Sequence, residues 1–495
     1  MTTRPNLLPA WRPFRRSTDV PGTPLITSRI TPGLPDRVRR PLAALALFLV
    51  TAGLAWLAHA AGWPREQVLV TAILTATVLL WLTEALPLFA TAFVSIAAQL
   101  FLLGNPGGWS WLGFESADGP TPGEFLAAPV EPVLLLFFGG LVLSRAAMKT
   151  GVDRRIAAWV LRPMADTPSR LLLGVILTTS CFSLWMSNTA TAALMLTLLV
   201  PILSQLPPGD PFRKALLLAV PVSANVAGMS TPIASPPNAI AVSYLARENA
   251  ALGFQGWMMV AIPLVLVLLA ATWWWLLRAY PPSHTSWRLE FPDAPLSRRG
   301  AWVLIVAVLT FAVWLTEPWH GVPASAAAVL PVTLFFATSV ITRDDVNSLD
   351  WDVLILIAGA LTLGYSLQVT DLDQRLAALV PEQAGDMTRL AVLGLATLVF
   401  GTFFSNTAIA SMLMPVAVMT ADMSSGDLDL TGYALTIALV ASMSMALPVS
   451  TPPNAMAHAT GGLTTADFIR TGGCIGLFGT VLIIFVLAVV RPWLA

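Results

Sequence analysis

Two stretches of an otherwise oily chain carry side chains suited to binding ions. Ser187-Asn188-Thr189 interrupts the apolar run over residues 170 to 205, and Ser405-Asn406-Thr407 interrupts the run over 388 to 420. Downstream of each triplet stands a proline pair, in Ser235-Pro236-Pro237-Asn238 and in Thr451-Pro452-Pro453-Asn454. Ser and Asn are favoured helix N-caps and Pro is favoured at the first helical position. Each triplet therefore predicts the start of a second half-helix, and each Pro-Pro-Asn a break within a long helix. A restarted helix offers unpaired N–H groups and the positive end of its dipole to an anion. The half-helix that ends there leaves free carbonyls, which with an Asn side-chain oxygen can coordinate a cation. No Asp, Glu, Lys or Arg falls in any of the four motifs, so the donors are neutral oxygens of the kind that suits sodium. Two matched pairs of breaks imply two cation sites flanking one central anion. Pro237, Asn238, Pro453 and Asn454 support the breaks; no catalytic residue and no enzymatic cofactor is expected.

The elements that position these motifs must cross a membrane. Of 495 residues, 56% are hydrophobic and only 11% charged, the mean hydropathy is +0.75, and an ordinary soluble domain is about a quarter charged. A helix needs about 20 apolar residues to cross roughly 30 Å of hydrocarbon. Runs of that order predict eleven crossings, over 41 to 61, 66 to 83, 86 to 104, 130 to 148, 215 to 244, 255 to 278, 300 to 317, 322 to 342, 351 to 369, 431 to 458 and 472 to 491. The runs over 170 to 205 and 388 to 420 are read as hairpins that enter and leave on one face. The class is thus all-α and polytopic, with two re-entrant helical hairpins.

Charge sets the sidedness. The loop from Leu103 to Pro129 has no Lys or Arg, whereas Arg145, Lys149, Arg154, Arg155, Arg162 and Arg170 crowd the next one; by the positive-inside rule the first is external and the second cytoplasmic. The hairpin reading also keeps Arg213, Lys214, Arg288, Arg298 and Arg299 inside. Residues 1 to 40, with eight arginines, read as a basic disordered cytoplasmic tail. The N-terminus is then cytoplasmic, the C-terminus external, and a bacterial inner membrane the expected location. The net formal charge is zero, and no nucleic-acid partner is expected.

The second half repeats the first. Val133 to Gly140 matches Val353 to Ala360, Thr150 to Ala158 matches Thr370 to Ala378, and Trp-Leu-Thr-Glu occurs at Trp81 and at Trp314. The triplets and the Pro-Pro-Asn motifs keep nearly the same spacing. Five crossings separate corresponding elements, so the halves have opposite orientation, the inverted repeat seen in many secondary transporters.

Other polar residues carry plainer readings. Glu84 and Glu317 are expected to cap or brace span ends, and His59, His284 and His320 to face solvent or the interface. His458 stands close enough to Asn454 to tune a pH dependence. Cys181 and Cys474 read as buried small hydrophobes and the 18 tryptophans as interfacial belts. Ser187 or Ser405 as an enzyme nucleophile needs a positioned base, and neither hairpin core holds a His or Lys. Proton-coupled antiport usually needs an intramembrane Asp, Glu or His, which the motifs lack.

At these residues the chain resembles the divalent anion:sodium symporter family of dicarboxylate, citrate and sulfate carriers. The resemblance rests on Trp81 to Ala92, both Ser-Asn-Thr tips and both Pro-Pro-Asn breaks, and runs from about residue 41 to 495. It implies a homodimer in which a scaffold (41–148 and 300–369) holds the dimer while a transport part (170–278 and 388–491) moves as an elevator. It implies substrate contacts from Ser187, Asn188, Thr189, Ser235, Pro236, Ser405, Asn406, Thr407, Thr451 and Pro452. One sodium would use Ser183, Ser187, Asn188 and the Ala234 carbonyl, and the other Gly401, Phe404, Asn406 and Ser450. The doubled Ser-Asn-Thr looks like a signature for C4 dicarboxylates such as succinate, malate or fumarate. Ala234 replaces a frequent Gly, and Thr197 stands where the second copy has Pro415. Sodium-coupled symport is the expectation; sodium-independent exchange, or carriage of sulfate or citrate, is the alternative.

Overall fold

The computed structural model describes residues 36–490 apart from 84, 105–119, 128, 208, 284–295, 373–374, 376–384 and 423–428. Residues 1–35 of the expected tail, Glu84, His284 and most of the Leu103 to Pro129 loop lie outside the described residues.

Among the described residues every element is helical. The first half contains α1 (Asp36–Ala60), α2 (Arg65–Thr83), α3 (Leu88–Leu102), α4 (Pro132–Thr150), α5 (Val152–Leu161), α6 (Pro168–Ser183), α7 (Asn188–Gln205), α8 (Phe212–Ala227), α9 (Pro236–Arg247) and α10 (Phe254–Ala279). The second contains α11 (Arg298–Leu315), α12 (Val329–Ala337), α13 (Arg343–Asn347), α14 (Trp351–Val369), α15 (Asp386–Phe403), α16 (Asn406–Asp422), α17 (Leu430–Met443), α18 (Pro452–Ala459) and α19 (Cys474–Phe485), with short helical turns between some of them.

Among the described residues, eight helices are long and apolar enough to cross a membrane. Six coincide with expected crossings; the other two, α7 and α15, are arms of the expected hairpins. Of the remaining expected crossings, that over 41 to 61 lies in α1, that over 86 to 104 is the shorter α3, and the others are split. The run over 215 to 244 divides into α8 and α9, and that over 431 to 458 into α17 and α18, each parted just before the proline pair. The run over 322 to 342 stops being helical after Ala337, and Ser339 takes a left-handed φ of 52°.

Packing follows membrane rules, in which small residues let helices approach because lipid is as apolar as Leu. A Cβ added at Gly139 on α4 would come within 2.7 Å of Ala328, and one at Gly359 on α14 within 2.5 Å of Ala92 on α3. The repeated Trp-Leu-Thr-Glu motif does one job twice: Trp81 Nε1 donates to the Leu88 carbonyl at 3.2 Å and Trp314 Nε1 to the Ala324 carbonyl at 2.9 Å. Trp81, Trp257 and Trp314 are fully buried, which corrects the belt reading for these three; a buried indole persists where its N–H finds an acceptor. Phe48, Trp56, Met259, Val392 and Val481 are exposed instead, on α1, α10, α15 and α19, apolar surface that suits lipid. Cys474 is likewise exposed, and Cys181 partly buried, both as free thiols, which corrects their reading as core residues. Glu317 braces a helix start as expected, its Oε2 accepting from the Phe254 N–H at 3.3 Å.

Charges at the ends of spans tie neighbouring elements together. Asp345 on α13 is 5% exposed and accepts from the Thr342 N–H at 2.9 Å and hydroxyl at 2.7 Å, from Arg145 Nη2 at 3.0 Å, and from Lys149. Burial alone would push its carboxyl up, but Lys149, Thr342 and Arg145 outweigh it and hold the group well below its ordinary 3.8. A lowered folded-state pKa gives stability that is present above the ordinary value and lost as pH falls through the lowered one. Asp345→Asn is expected to cost about 2 kcal/mol at neutral pH and to flatten the loss of melting temperature on acidification below about pH 4. Thermal unfolding in detergent across that range checks it; identical curves for both proteins would exclude the cluster as a source of acid sensitivity.

Candidate functional site

Each hairpin tip is joined to one helix break. At the first tip, Ser187 caps α7, its hydroxyl accepting from the Ala190 N–H at 3.3 Å. Behind it, Ser183 Oγ lies 2.6 Å from Asn188 Oδ1 and 2.9 Å from the Ala224 carbonyl oxygen. A hydroxyl has one proton to give, so Ser183 can serve only one of these two acceptors, and the Ala224 carbonyl already accepts from the Gly228 N–H at 2.9 Å. The break following α8 is clamped by Asn238, whose Nδ2 donates to the carbonyls of Gly228 at 2.9 Å and Thr231 at 2.8 Å. Thr231 Oγ1 donates to the Leu184 carbonyl at 2.6 Å, fastening break to tip, and Trp257 Nε1 donates to the Met229 carbonyl at 2.8 Å. Ser235 is extended at φ −148° and Pro236 starts α9.

The second pair is built alike. Asn454 Nδ2 donates to the carbonyls of Met445 at 2.9 Å and Leu447 at 2.8 Å, and Ser450 Oγ donates to the Thr402 carbonyl of the tip at 2.6 Å. Thr451 is extended at φ −140° and caps α18, accepting from the Asn454 N–H at 3.3 Å. Ser444 Oγ donates to the Thr397 carbonyl at 3.1 Å and fills the space over Gly401, where a Cβ would come within 2.5 Å of it.

The two pairs meet. α7 packs on α18 and α9 on α16, while Asn225 of α8 reaches into the second break, donating from Nδ2 to Thr451 Oγ1 at 3.1 Å. Among the expected substrate contacts, Ser235 and Thr451 are buried, Ser187, Asn188, Pro236, Ser405, Asn406 and Thr407 half-buried, and Thr189 and Pro452 exposed. Of the expected sodium ligands, Ser183, Ala234, Gly401 and Ser450 are buried and Phe404 half-buried; Pro237, Asn238, Pro453 and Asn454 are buried beneath them. Among the described residues, Ser235 Oγ, Asn238 Oδ1 and Asn406 Oδ1 are buried with no hydrogen-bond partner, a costly condition for a neutral oxygen unless something else meets it. Among the described residues no cluster of His, Cys, Asp or Glu could hold a metal ion, so hard, neutral oxygens are the donors this region offers. His458 lies on α18 with its ring edge-on to Phe468, centroids 5.9 Å apart.

Four contributors escaped the sequence reading: Ala224, Asn225, Thr231 and Ser444. Asn225 carried a visible signal, an amide within the apolar stretch Leu216 to Val226. Its partner lies 226 residues away, which no local pattern encodes.

Comparison with known proteins agrees with this architecture. The fold is similar to that of the YdaH transporter of Alcanivorax borkumensis, at a TM-score of 0.55 and 14% identity over 81% of this chain and 97% of that one. In sequence the chain is 26% identical to the sodium-dependent dicarboxylate transporter SdcS of Staphylococcus saprophyticus, over 83% of this chain and 84% of SdcS. It is 27% identical to the inorganic phosphate transporter PHO87 of Saccharomyces cerevisiae over 78% of this chain but 42% of PHO87, so it spans less than half the length of that relative. The model of the citrate transporter family matches residues 35–440, most of the described chain and three of the four breaks. The expected resemblance to the divalent anion and sodium carriers holds, and the chain belongs to the citrate transporter (CitMHS) family.

Proposed function

We propose that the protein is a secondary carrier that moves a C4 dicarboxylate, such as succinate, malate or fumarate, together with sodium. The observation that carries this reading is the meeting of two tip-and-break pairs that bury neutral oxygens, Ser235 Oγ, Asn238 Oδ1 and Asn406 Oδ1, with no donor among the described residues. At the first pair, Ser183 Oγ has one proton for two acceptors, Asn188 Oδ1 and the Ala224 carbonyl, a gathering of neutral oxygens that a sodium ion would suit. Ser187 and the Ala234 carbonyl complete the expected set. At the second, Asn406 Oδ1 would do so with the Gly401 and Phe404 carbonyls and Ser450. The anion would lie between them on the N-terminal ends of α7, α9, α16 and α18, held by Ser187, Asn188, Thr189, Ser235 and Pro236 on one side and by Ser405, Asn406, Thr407, Thr451 and Pro452 on the other. Coupling follows where the anion site is complete only with sodium in place, since a ligand biases an equilibrium only through different affinities for its states.

The matching construction of the two pairs supports an inverted repeat, and the fastening of each tip to its break supports an elevator in which a transport part slides against a dimeric scaffold. A second reading, carriage of phosphate, is favoured by the similarity to PHO87; a tetrahedral oxyanion fits the same helix ends. Uptake into proteoliposomes across succinate, citrate, sulfate, inorganic phosphate and aspartate, with and without a sodium gradient, separates these. Sodium-driven succinate uptake is expected; preference for phosphate would establish the second reading, and uptake indifferent to sodium would remove the coupling. Thr189→Ala and Thr407→Ala are expected to raise the succinate KM about tenfold with little change in sodium dependence. The reverse pattern would exchange the roles assigned to these hydroxyls.

A further inference from the structure

The two breaks differ chemically, and the difference traces to one side chain. The register that sets Ser235 against Thr451 and Asn238 against Asn454 sets Asn225 against Ala441. Asn225 is 1% exposed, and its Nδ2 donates to Thr451 Oγ1 at 3.1 Å and toward Asn454 Oδ1 at 3.4 Å. Thr451 Oγ1 also accepts from the Asn454 N–H at 3.3 Å. A threonine hydroxyl has two lone pairs and one proton. Both lone pairs are occupied, so the group can enter a further bond only by giving its proton, and among the described residues nothing accepts it. Ser235 Oγ, in the matching place, is buried with no partner, as is Asn238 Oδ1. That hydroxyl stays free to turn either way, because Ala441, which matches Asn225, supplies no amide to the first break.

We infer that Asn225 is a positioning residue that fixes the Thr451 hydroxyl as a one-way donor, so that the second break accepts an ionised oxygen and rejects an O–H or N–H group of the solute. The first break, through Ser235, tolerates either. The inference rests on the reading of Thr451 as a substrate contact and adds a polarity to it: the two ends of the anion are not held alike.

A double-mutant cycle tests it. Asn225→Ala, Thr451→Val and the pair are assayed for succinate uptake in proteoliposomes at saturating sodium, alongside the sodium concentration for half-maximal rate and the melting temperature of each protein. Thr451→Val is expected to raise KM about tenfold. Asn225→Ala should raise it nearly as far, with the sodium requirement unchanged, and the pair should be no worse than Thr451→Val alone. Additive effects, or an Asn225→Ala protein with a lowered melting temperature and unchanged KM, would reduce Asn225 to a prop between the halves and overturn the inference. If Thr451→Val itself leaves KM unchanged, the reading of Thr451 as a contact falls, and the inference with it. Should Asn225→Ala fail to fold, Asn225→Ser keeps a polar group in place but is one atom too short to make the bond, and is expected to raise KM by the same factor.

Discussion

Asn406→Leu is expected to yield a protein that melts no lower than the wild type, and about 1 to 3 kcal/mol more stably if the shape is kept, yet shows no sodium-driven uptake. The expectation is unusual, since most core substitutions destabilise. It follows from the position of Asn406 Oδ1, which is buried at the start of α16 with no hydrogen-bond partner among the described residues. Removing an oxygen that nothing in the protein meets relieves a desolvation cost instead of creating one. If that oxygen is kept to hold a cation, the same change takes away a charge-assisted contact worth about 1.5 to 3 kcal/mol, a loss of ten- to a hundredfold in sodium affinity. Thermal unfolding together with uptake across a sodium titration checks both halves. Wild-type uptake would remove Asn406 from the site, and a large fall in stability would show that its side chain holds the fold.

Gly228→Ala should abolish transport from the other side of the molecule, with a loss of about a hundredfold or more in uptake at fixed sodium. Nothing in the backbone forbids the substitution: Gly228 ends α8 at φ −59°, and Ala is the better helix former. The obstacle is the tip above it. A Cβ at residue 228 would stand 2.6 Å from Asn188 Nδ2 and 2.8 Å from Oδ1, inside any contact two such atoms tolerate. The amide must swing away, and its approach to Ser183 is lost with it. Gly385→Ala is the control, because its Cβ would meet nothing within 4 Å and its φ of −64° suits any residue. Uptake by Gly228→Ala at the level of Gly385→Ala would mean that the Asn188 amide does not have to lie where it does.

Much of this was legible because the informative residues break a rule that the surrounding sequence obeys. Proline pairs cannot continue a helix and Ser-Asn-Thr favours starting one, so the starts of α7, α9, α16 and α18 could be read within a residue or two, while the ends of α8 and α17, which fall at Ala227 and Met443, could not. The span over 351 to 369 coincides with α14 for the complementary reason: an unbroken apolar run has one thing to do in a bilayer. What escaped was orientation around each helix. Lipid-facing and protein-facing positions are equally apolar, so hydropathy does not distinguish Cys474, which is exposed, from Trp81, which is fully buried. The Trp81 indole is inside because the Leu88 carbonyl meets its N–H, a fact about how two helices are joined. Asn225 was missed for a related reason: its importance comes from the opposite half of the chain, while its own neighbours look like ordinary filling.

The bonds from Thr231 to the Leu184 carbonyl and from Ser450 to the Thr402 carbonyl, each 2.6 Å long, act like rivets. They join each of the two breaks to the neighbouring hairpin tip, so the breaks cannot gape independently of the tips. Under the proposed carrier function, passage comes from displacing the riveted block bodily past its surroundings, and a variant such as Thr231→Val or Ser450→Ala is expected to leak solute.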